Sequence, residues 1–289
     1  MASLISAVIV NYRQPSLTEE AAASLAGQGG MCRVSTIVVD NGSADGSLER
    51  LKESCAGCTV LDAGGNLGFS GGNNVGIRHA LEHGAEYILL LNNDAAAESG
   101  AVEALLSAAG PRTIAAPKIV FASDPSRVWY GGGHVSRMRG GFYHDEDAAS
   151  ADSARDVDFA SGCCMLLPAS FFRECGFMDE RFFLYCEDAE LCLRAVRAGF
   201  RIRYEPRAVV RHKVSASTGG ERSPMSVYYG TRNRLMLLSQ YGFPPVAFAY
   251  VLATRLVKML SSPFHPAERH ALPGIIDWIA GRTGRKEGL

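Results

Sequence analysis

The 289-residue sequence contains no internal repeat, no low-complexity tract and no apolar run of membrane-spanning length, and each absence removes a class of protein. Val246 to Leu260 is apolar but short, and Arg255 and Lys258 interrupt it, whereas a spanning helix needs about 20 consecutive apolar residues. The first residues, Met1-Ala2-Ser3-Leu4-Ile5, carry no basic segment and no small-residue cleavage site, so they read as a first strand and not as a secretory leader. A surplus of one charge is also missing. The 29 Lys and Arg against 30 Asp and Glu leave a net charge of -1, and no nucleic-acid-binding motif is present, which argues against nucleic acid as a partner. Two phosphate-binding patterns are absent as well. No glycine-rich loop runs into the lysine of a P-loop, and the first apolar run ends in Asn11-Tyr12-Arg13-Gln14-Pro15, without the glycines of a dinucleotide fingerprint.

Eight cysteines (Cys32, Cys55, Cys58, Cys163, Cys164, Cys175, Cys186 and Cys192) are scattered through apparent core segments. At 47% hydrophobic residues the chain is large and apolar enough to stand on its core without disulfides, and this predicts a reducing, cytoplasmic setting. Cys55-Ala56-Gly57-Cys58 has no second pair to complete a metal site, and reads as two small residues in a loop ahead of a strand.

What is present is a set of apolar strands that empty into polar clusters. Ala85-Glu86-Tyr87-Ile88-Leu89-Leu90-Leu91 runs into Asn92-Asn93-Asp94, Ala7-Val8-Ile9-Val10 into Asn11-Tyr12-Arg13, and Thr36-Ile37-Val38-Val39 into Asp40-Asn41-Gly42-Ser43. An open α/β sheet binds its ligands outside the carboxyl ends of its strands, so these ends predict the site. Strands alternate with helical patterns as far as about Leu106, which predicts a parallel sheet with right-handed crossovers. Helices are expected from Ser16 or Thr18 to Leu25, from Ser47 to Lys52 and from Gly72 to His83. Between Pro111 and Asp158 the many glycines predict hairpins and loop; Phe159 to Leu167 reads as a strand and Asp188 to Ala198 as a helix stopped by Gly199. The Val246–Leu260 helix either docks on the domain or lies in a membrane interface, with Arg255, Lys258, Arg282, Arg285 and Lys286 toward anionic head groups.

Further segments carry chemistry. Gly64-Gly65-Asn66-Leu67-Gly68-Phe69-Ser70-Gly71-Gly72-Asn73-Asn74-Val75-Gly76 offers backbone N–H groups and a helix start to phosphate or ribose oxygens, or else serves as a turn with close helix packing. Glu187-Asp188 begins a helix, where acids serve either as caps or, beside a metal edge, as a general base. His212 follows a β-branched strand and reads either as a structural histidine or, paired with a distant Asp, as a metal ligand. Leu193 to Arg234 holds ten Lys or Arg against Glu205 and Glu221, which predicts an anion site unless it is a solvated face.

In order, Val10-Asn11-Tyr12, Val38-Val39-Asp40-Asn41-Gly42-Ser43-Ala44-Asp45-Gly46-Ser47, Asn66-Leu67-Gly68-Phe69-Ser70-Gly71-Gly72-Asn73 and Leu90-Leu91-Asn92-Asn93-Asp94 resemble the family 2 glycosyltransferases of the GT-A fold, rhamnosyltransferase-like members above all. Ser161-Gly162-Cys163-Cys164-Met165-Leu166, Gly176-Phe177-Met178-Asp179-Glu180-Arg181-Phe182-Phe183, Glu187-Asp188-Ala189-Glu190-Leu191-Cys192-Leu193-Arg194, His212 and Tyr228-Tyr229-Gly230-Thr231-Arg232-Asn233-Arg234 continue the resemblance, which covers Ser6 to Tyr241.

The resemblance implies an α/β GT-A domain over residues 1–241, with a mostly parallel nucleotide-binding sheet flanked by helices, and a C-terminal helical extension over 242–289. It implies inverting transfer of a sugar, L-rhamnose or another hexose or deoxyhexose, from a dTDP- or UDP-sugar to an acceptor hydroxyl. Asn11, Tyr12, Asp40, Asn41 and Asn66, with Gly68, Asn73, Asn92 and Asn93, would hold the donor. Asp94 and His212 would bind Mg²⁺ or Mn²⁺, Asp188 beside Glu187 would be the base, and Arg232 and Arg234 would face the diphosphate. Asn92-Asn93-Asp94 departs from the family's acidic pattern by keeping one carboxylate, which implies weak metal binding until a donor diphosphate completes the shell. The implied acceptor is a polysaccharide, a lipid-linked precursor or a natural product, and the implied place is the cytoplasm or the inner face of the membrane. Two other readings share the scaffold: a non-catalytic nucleotide-sugar-binding protein and a metal-dependent nucleotidyltransferase, although the latter wants a basic glycine-rich loop near the N-terminus.

Overall fold

Alternating apolar segments build one mixed sheet with helices on its faces, in a computed structural model that describes residues 3–30, 32–147, 150–214, 223–260 and 266–288. The chain runs β1 (Ser3–Asn11), α1 (Pro15–Leu25), β2 (Cys32–Asp40), α2 (Ser47–Ser54), β3 (Thr59–Asp62), α3 (Gly68–Glu82) and β4 (Tyr87–Leu91). It continues as β5 (Ala95–Ala97), α4 (Ala101–Ala108), β6 (Thr113–Phe121), β7 (Asp124–Tyr130), β8 (Gly133–Ser136), β9 (Gly141–His144), β10 (Arg155–Asp156) and β11 (Cys164–Pro168). The remainder is α5 (Ala169–Cys175), α6 (Glu187–Arg197), β12 (Arg201–His212), α7 (Pro224–Gln240), α8 (Pro245–Leu260) and α9 (Ala271–Ile279).

Strand order is β10-β12-β6-β11-β4-β1-β2-β3, with β5 added to β12 and β7 to β6. The chain steps outward from β1 to β2 to β3, then returns through α3 to β4 on the other side of β1, so the order reverses between β1 and β4. A ligand crevice belongs at that reversal. Strands β1, β2, β3, β4, β6 and β12 all point the same way, because β11 is antiparallel to both β4 and β6 and β12 is parallel to β6. Asn11, Asp40, the Asn92 turn and His212 therefore leave the sheet at one edge. The central strands are apolar along their whole length because helices cover both faces, and Ile5, Val8, Ile9, Ile88 and Leu90 are fully buried.

Helix α3 starts four residues earlier than the expected Gly72, and its glycines face the sheet. A Cβ at Gly72 would stand 2.9 Å from Val10 Cγ1, and one at Gly76 would stand 2.5 Å from Val8 Cγ1. These positions let the helix approach β1 closely, and no larger side chain fits without displacing it. A second apolar cluster joins Leu235, Leu237 and Leu238 of α7 to Phe182, Ala247, Val251 and, at its margin, Trp278. No helix among the described residues is long and apolar enough to cross a membrane.

Candidate active site

Asp94 is brought to His212 by a short strand that the sequence pattern does not reveal. The chain leaves β4 at Asn92, whose N–H donates to Cys163 O at 2.8 Å, turns, and rejoins the sheet as β5, antiparallel to the end of β12 with Ala95 opposite His212. Lys213 N then donates to Asp94 O at 2.9 Å. The outcome is Asp94 Oδ1 standing 3.2 Å from His212 Nε2, with the two side chains 5% and 7% exposed. Asp94 Oδ1, His212 Nδ1 and Asn92 Oδ1 are all buried without a hydrogen-bond partner. Such groups cost about 1–3 kcal/mol each, so their clustering at one edge marks a place shaped for something else.

A divalent ion is a chemical fit. Ligands held about 2.1 Å from an ion and at right angles stand roughly 3 Å apart, as this oxygen and nitrogen do. Among the described residues no third His, Cys, Asp or Glu completes a cluster, so other oxygens must fill the shell. A cavity of about 240 Å³ opens beside Asp94, between Leu17 and Glu20 of α1 and Ala122, Arg211 and Lys213. A larger groove, about 700 Å³, lies at the opposite edge, against the first residues of β6 and β12 (Thr113, Arg201, Arg203), away from the strand ends that carry the chemistry.

Asp188 reaches this edge through a strained turn. Tyr185 (φ 67°) and Cys186 (φ 69°) are successive left-handed residues immediately before α6, a conformation costing about 1–3 kcal/mol each. Asn233 of α7 holds the turn, its Nδ2 donating to Leu184 O at 2.8 Å and Tyr185 O at 2.9 Å, and Arg232 Nε in turn donates to Asn233 Oδ1 at 2.9 Å. Asp188 Oδ2 accepts from Gly162 N at 3.0 Å, one residue from the Cys163 carbonyl bonded to Asn92. Ser161-Gly162-Cys163 thus links the Asp188 helix to the Asp94 turn.

Glu187, paired with Asp188 in the sequence reading, is placed differently. Burial, and secondarily the charge of Asp188, pushes its pKa well above the usual carboxylate range, and its Oε2 has no partner. Asp188, which accepts from Gly162 N, is the member of the pair tied to the Asp94 edge, so the geometry favours it as the base. The burial of Glu187 makes stability depend on pH. Above the ordinary value of 4.5 the native state retains a proton that the unfolded chain releases, so Glu187 weakens folding as pH rises toward its native pKa. Glu187→Gln should melt above wild type at about pH 8, with the gap shrinking toward pH 5 by up to about 1.4 kcal/mol per unit. Thermal melts across that range check it; a gap that widens at low pH would show the native carboxyl to be ionised.

The nucleotide corner is a closed network. Asn11, fully buried, donates through Nδ2 to Asp40 Oδ1 (2.7 Å) and Ser43 Oγ (3.1 Å) and accepts from Thr18 Oγ1 (2.8 Å). Asp40 also accepts from Ser43 Oγ (2.6 Å) and Ser43 N (3.1 Å), which leaves about one acceptor position. Asn41 accepts from Leu67 N and donates to Gly68 O, while Asn66 Oδ1 accepts from Gly68 N. Tyr12 is the open member at 37% exposure. Several of the expected donor residues are engaged within the fold. Asn11 is a scaffold for Asp40, since its amide is spent within the protein. Gly68 (φ +73°) is required for close packing, because a Cβ there would lie 2.3 Å from Phe183 O, and Asn73 spends its amide on Phe69 O. Asn93 is buried with its Nδ2 3.4 Å from Gln14 Oε1.

In the basic segment Arg194, Arg203, Arg207, Arg211 and Lys213 are each paired with a carboxylate (Glu190, Asp156, Glu205, Glu98 and Glu20), while Glu221 and Arg222 lie outside the described residues. Arg234 holds the β8–β9 hairpin through Gly140 O and Arg139 O, and Arg232 is buried against Tyr228 and Tyr229 with Nη2 unpartnered. Cys58 is half-buried and its thiol is pushed up to about 11 by burial, in keeping with an unreactive loop residue. Sequence reasoning missed Trp129 and His144. Trp129 meets the edge of His212 at 4.6 Å and of His144 at 4.5 Å, making an aromatic wall at the Asp94–His212 edge. Burial holds His144 below its ordinary pKa. A tryptophan, one of two in the chain, beside Gly131-Gly132-Gly133 was the available signal.

Residues 6–176 match the family model described as glycosyl transferase family 2. The chain belongs to that family. It is 31% identical over 217 residues to an N-acetylglucosaminyl-diphospho-decaprenol L-rhamnosyltransferase of Mycobacterium tuberculosis, covering 67% of this chain and 70% of that one. It is 25% identical to the dTDP-rhamnosyl transferase RfbF of Shigella flexneri over 98% of both chains, and 27% identical to the hexosyltransferase Agl10 of Haloferax volcanii over 80% of this chain and 74% of that one. Among solved structures, GalNAc-T7 with UDP, GalNAc and Mn²⁺ superposes with a TM-score of 0.64 at 13% identity, over 82% of this chain and 48% of that one. The mannosyltransferase PcManGT of Pyrobaculum calidifontis with GDP-Man and Mn²⁺ gives 0.60 at 14% identity, over 97% and 76%. These establish a GT-A fold for a rhamnosyltransferase-like glycosyltransferase of family 2.

Proposed function

We propose that this glycosyltransferase moves L-rhamnose, or another hexose or deoxyhexose, from a dTDP- or UDP-sugar to an acceptor hydroxyl with inversion at the anomeric carbon. The carrying observation is the Asp94–His212 pair at 3.2 Å, joined through Ser161-Gly162-Cys163 to Asp188. Asp40 uses its remaining acceptor position on a pyrimidine N–H, and Tyr12 lies over the base. Asp94 and His212 would hold Mg²⁺ or Mn²⁺, which supplies positive charge for the departing diphosphate. Asp188 takes the acceptor's hydroxyl proton as that oxygen bonds to the anomeric carbon, and the carbon–oxygen bond to the diphosphate breaks with its electron pair leaving on phosphate. Trp129 and neutral His144 wall the cleft and exclude water. Arg234 is not needed in this scheme, since it is spent on the β8–β9 hairpin.

The acceptor we favour is a lipid-linked diphosphosugar, the type in the name of the 31%-identical mycobacterial relative. The eight unbridged thiols support a reducing cytoplasm, where nucleotide sugars are made. The test is incubation with dTDP-L-rhamnose or UDP-hexoses, Mn²⁺ and a polyprenyl-diphospho-N-acetylglucosamine, followed by NMR of the product. One donor should be consumed and the new linkage should have the opposite anomeric configuration. Retention would overturn the single displacement, and transfer from none of these donors would overturn the donor assignment.

A further inference from the structure

The C-terminal helices expose an apolar surface that the transfer chemistry does not use. Helix α8 turns Ala247 and Val251 inward, and its opposite face carries Val246, Tyr250, Val257 and Leu260 to solvent, Val257 at 65% and Leu260 at 75% exposure. Steps of four, seven and three residues place them in one stripe about 20 Å long. Helix α9 repeats the pattern with exposed Leu272, Ile276 and Ile279 at steps of four and three. Phe248 of α8 stacks on Trp278 of α9 at 5.8 Å, a contact made from the side of α8 away from its stripe.

The tip of the β8–β9 hairpin joins this surface. Arg137 Nη2 donates to Gly242 O at 3.0 Å, and Arg139 lies 5.8 Å from the Tyr250 ring, so the exposed Arg137-Met138-Arg139 tip stands beside the start of α8. Lys258, Arg269 and Arg285 are also exposed along the helical region. Its acids are hidden: Glu268 is buried against Arg255, and Asp277 against Arg282 and Lys286. Glu287 is the exposed acid among the described residues of 242–288. Ordinary monomer surfaces scatter their apolar side chains; the α8 stripe, with the cations of the hairpin tip beside its start, is a docking face.

We propose that this face seats the enzyme on an anionic lipid surface, with the α8 stripe in the head-group boundary and Arg137 and Arg139 of the hairpin tip on lipid phosphates. A second copy fits less well, because in a two-fold pairing the patch meets itself and sets cations against cations. The proposal deepens the lipid-linked reading of the acceptor, but its test uses neither acceptor nor sugar donor, so the two fail separately.

The full chain is sedimented with vesicles of phosphatidylcholine alone and with about one-third phosphatidylglycerol, beside a Val257→Asp/Leu260→Asp variant whose changed side chains touch no core. Wild type should bind the anionic vesicles at least about tenfold more tightly than the neutral ones, should lose binding as salt rises, and should be weakened about tenfold or more by the two substitutions. Melting temperature and calorimetric binding of dTDP and UDP should match in the two proteins. Equal sedimentation of variant and wild type, or none with anionic vesicles, would overturn the proposal. So would a wild-type dimer in solution that the variant converts to monomer, since the face would then join two copies of this chain.

Discussion

Asp188→Asn is expected to lower transfer by a factor of about 10²–10⁴ while dTDP or UDP binding stays within about twofold. The substitution keeps shape and the oxygen that accepts from Gly162 N at 3.0 Å, so α6 and its strained turn stay in place. What it removes is the capacity to take a proton from the attacking hydroxyl, an interaction that exists only as the bond forms. The loss should therefore fall on kcat, with the donor's KM little changed. Glu187 is not tied to this segment in the same way, since the bond from Gly162 N goes to Asp188. Initial rates set against calorimetric affinities decide the matter; a variant retaining more than about a tenth of wild-type turnover would remove Asp188 from the role of base.

Asp94→Ala should abolish the effect of Mn²⁺ on donor binding and reduce turnover by at least about 10³, since several kcal/mol of charge stabilisation is at stake and each 1.4 kcal/mol is tenfold. In the proposed site the carboxylate would be one of two protein ligands 3.2 Å apart, and no third His, Cys, Asp or Glu among the described residues completes the cluster. Calorimetry with dTDP, UDP, GDP and NAD, each with and without Mn²⁺, should show one pyrimidine diphosphate tightening with metal in wild type and not in the variant. The variant should not melt lower on account of the carboxylate itself, because Asp94 Oδ1 is a buried acceptor without a partner and its removal relieves that cost. Metal-dependent tightening that survives the substitution would place the ion elsewhere.

Helices were legible wherever an apolar period met a stop signal: α1 and α2 lie within a few residues of expectation, and α6 spans Glu187–Arg197 against Asp188–Ala198. The strand ends were equally legible, because an apolar run that stops at Asn11, Asp40 or Asn92 has nowhere to put an amide or acid except the sheet edge. The Pro111–Asp158 region was legible in part: the expected hairpins are there as the antiparallel pairs β6–β7 and β8–β9, but β6 is also a nine-residue strand of the main sheet. Strand β11 had no readable direction. Cys164-Met165-Leu166-Leu167 is buried on both faces like its parallel neighbours, and its antiparallel pairing with β4 and β6 follows from where the connections bring it.

By itself the sequence determined an α/β chain whose strands carry polar ends to one edge, and its ordered motifs identified the family. These are local properties, written in periodicity and in the residue types at each strand end. Tertiary structure alone decided which polar groups remain free for chemistry. Asn11, Gly68, Asn73 and Arg234 look like ligand groups until their partners within the fold are seen, whereas Trp129 and His144, silent in the pattern, stand at the Asp94–His212 edge. The same holds for Glu187, whose carboxyl pKa is pushed well above the usual range by burial, and for the apolar stripes of α8 and α9. A hydrogen-bond partner or a covering side chain comes from residues tens of positions away, and only the folded chain assigns them.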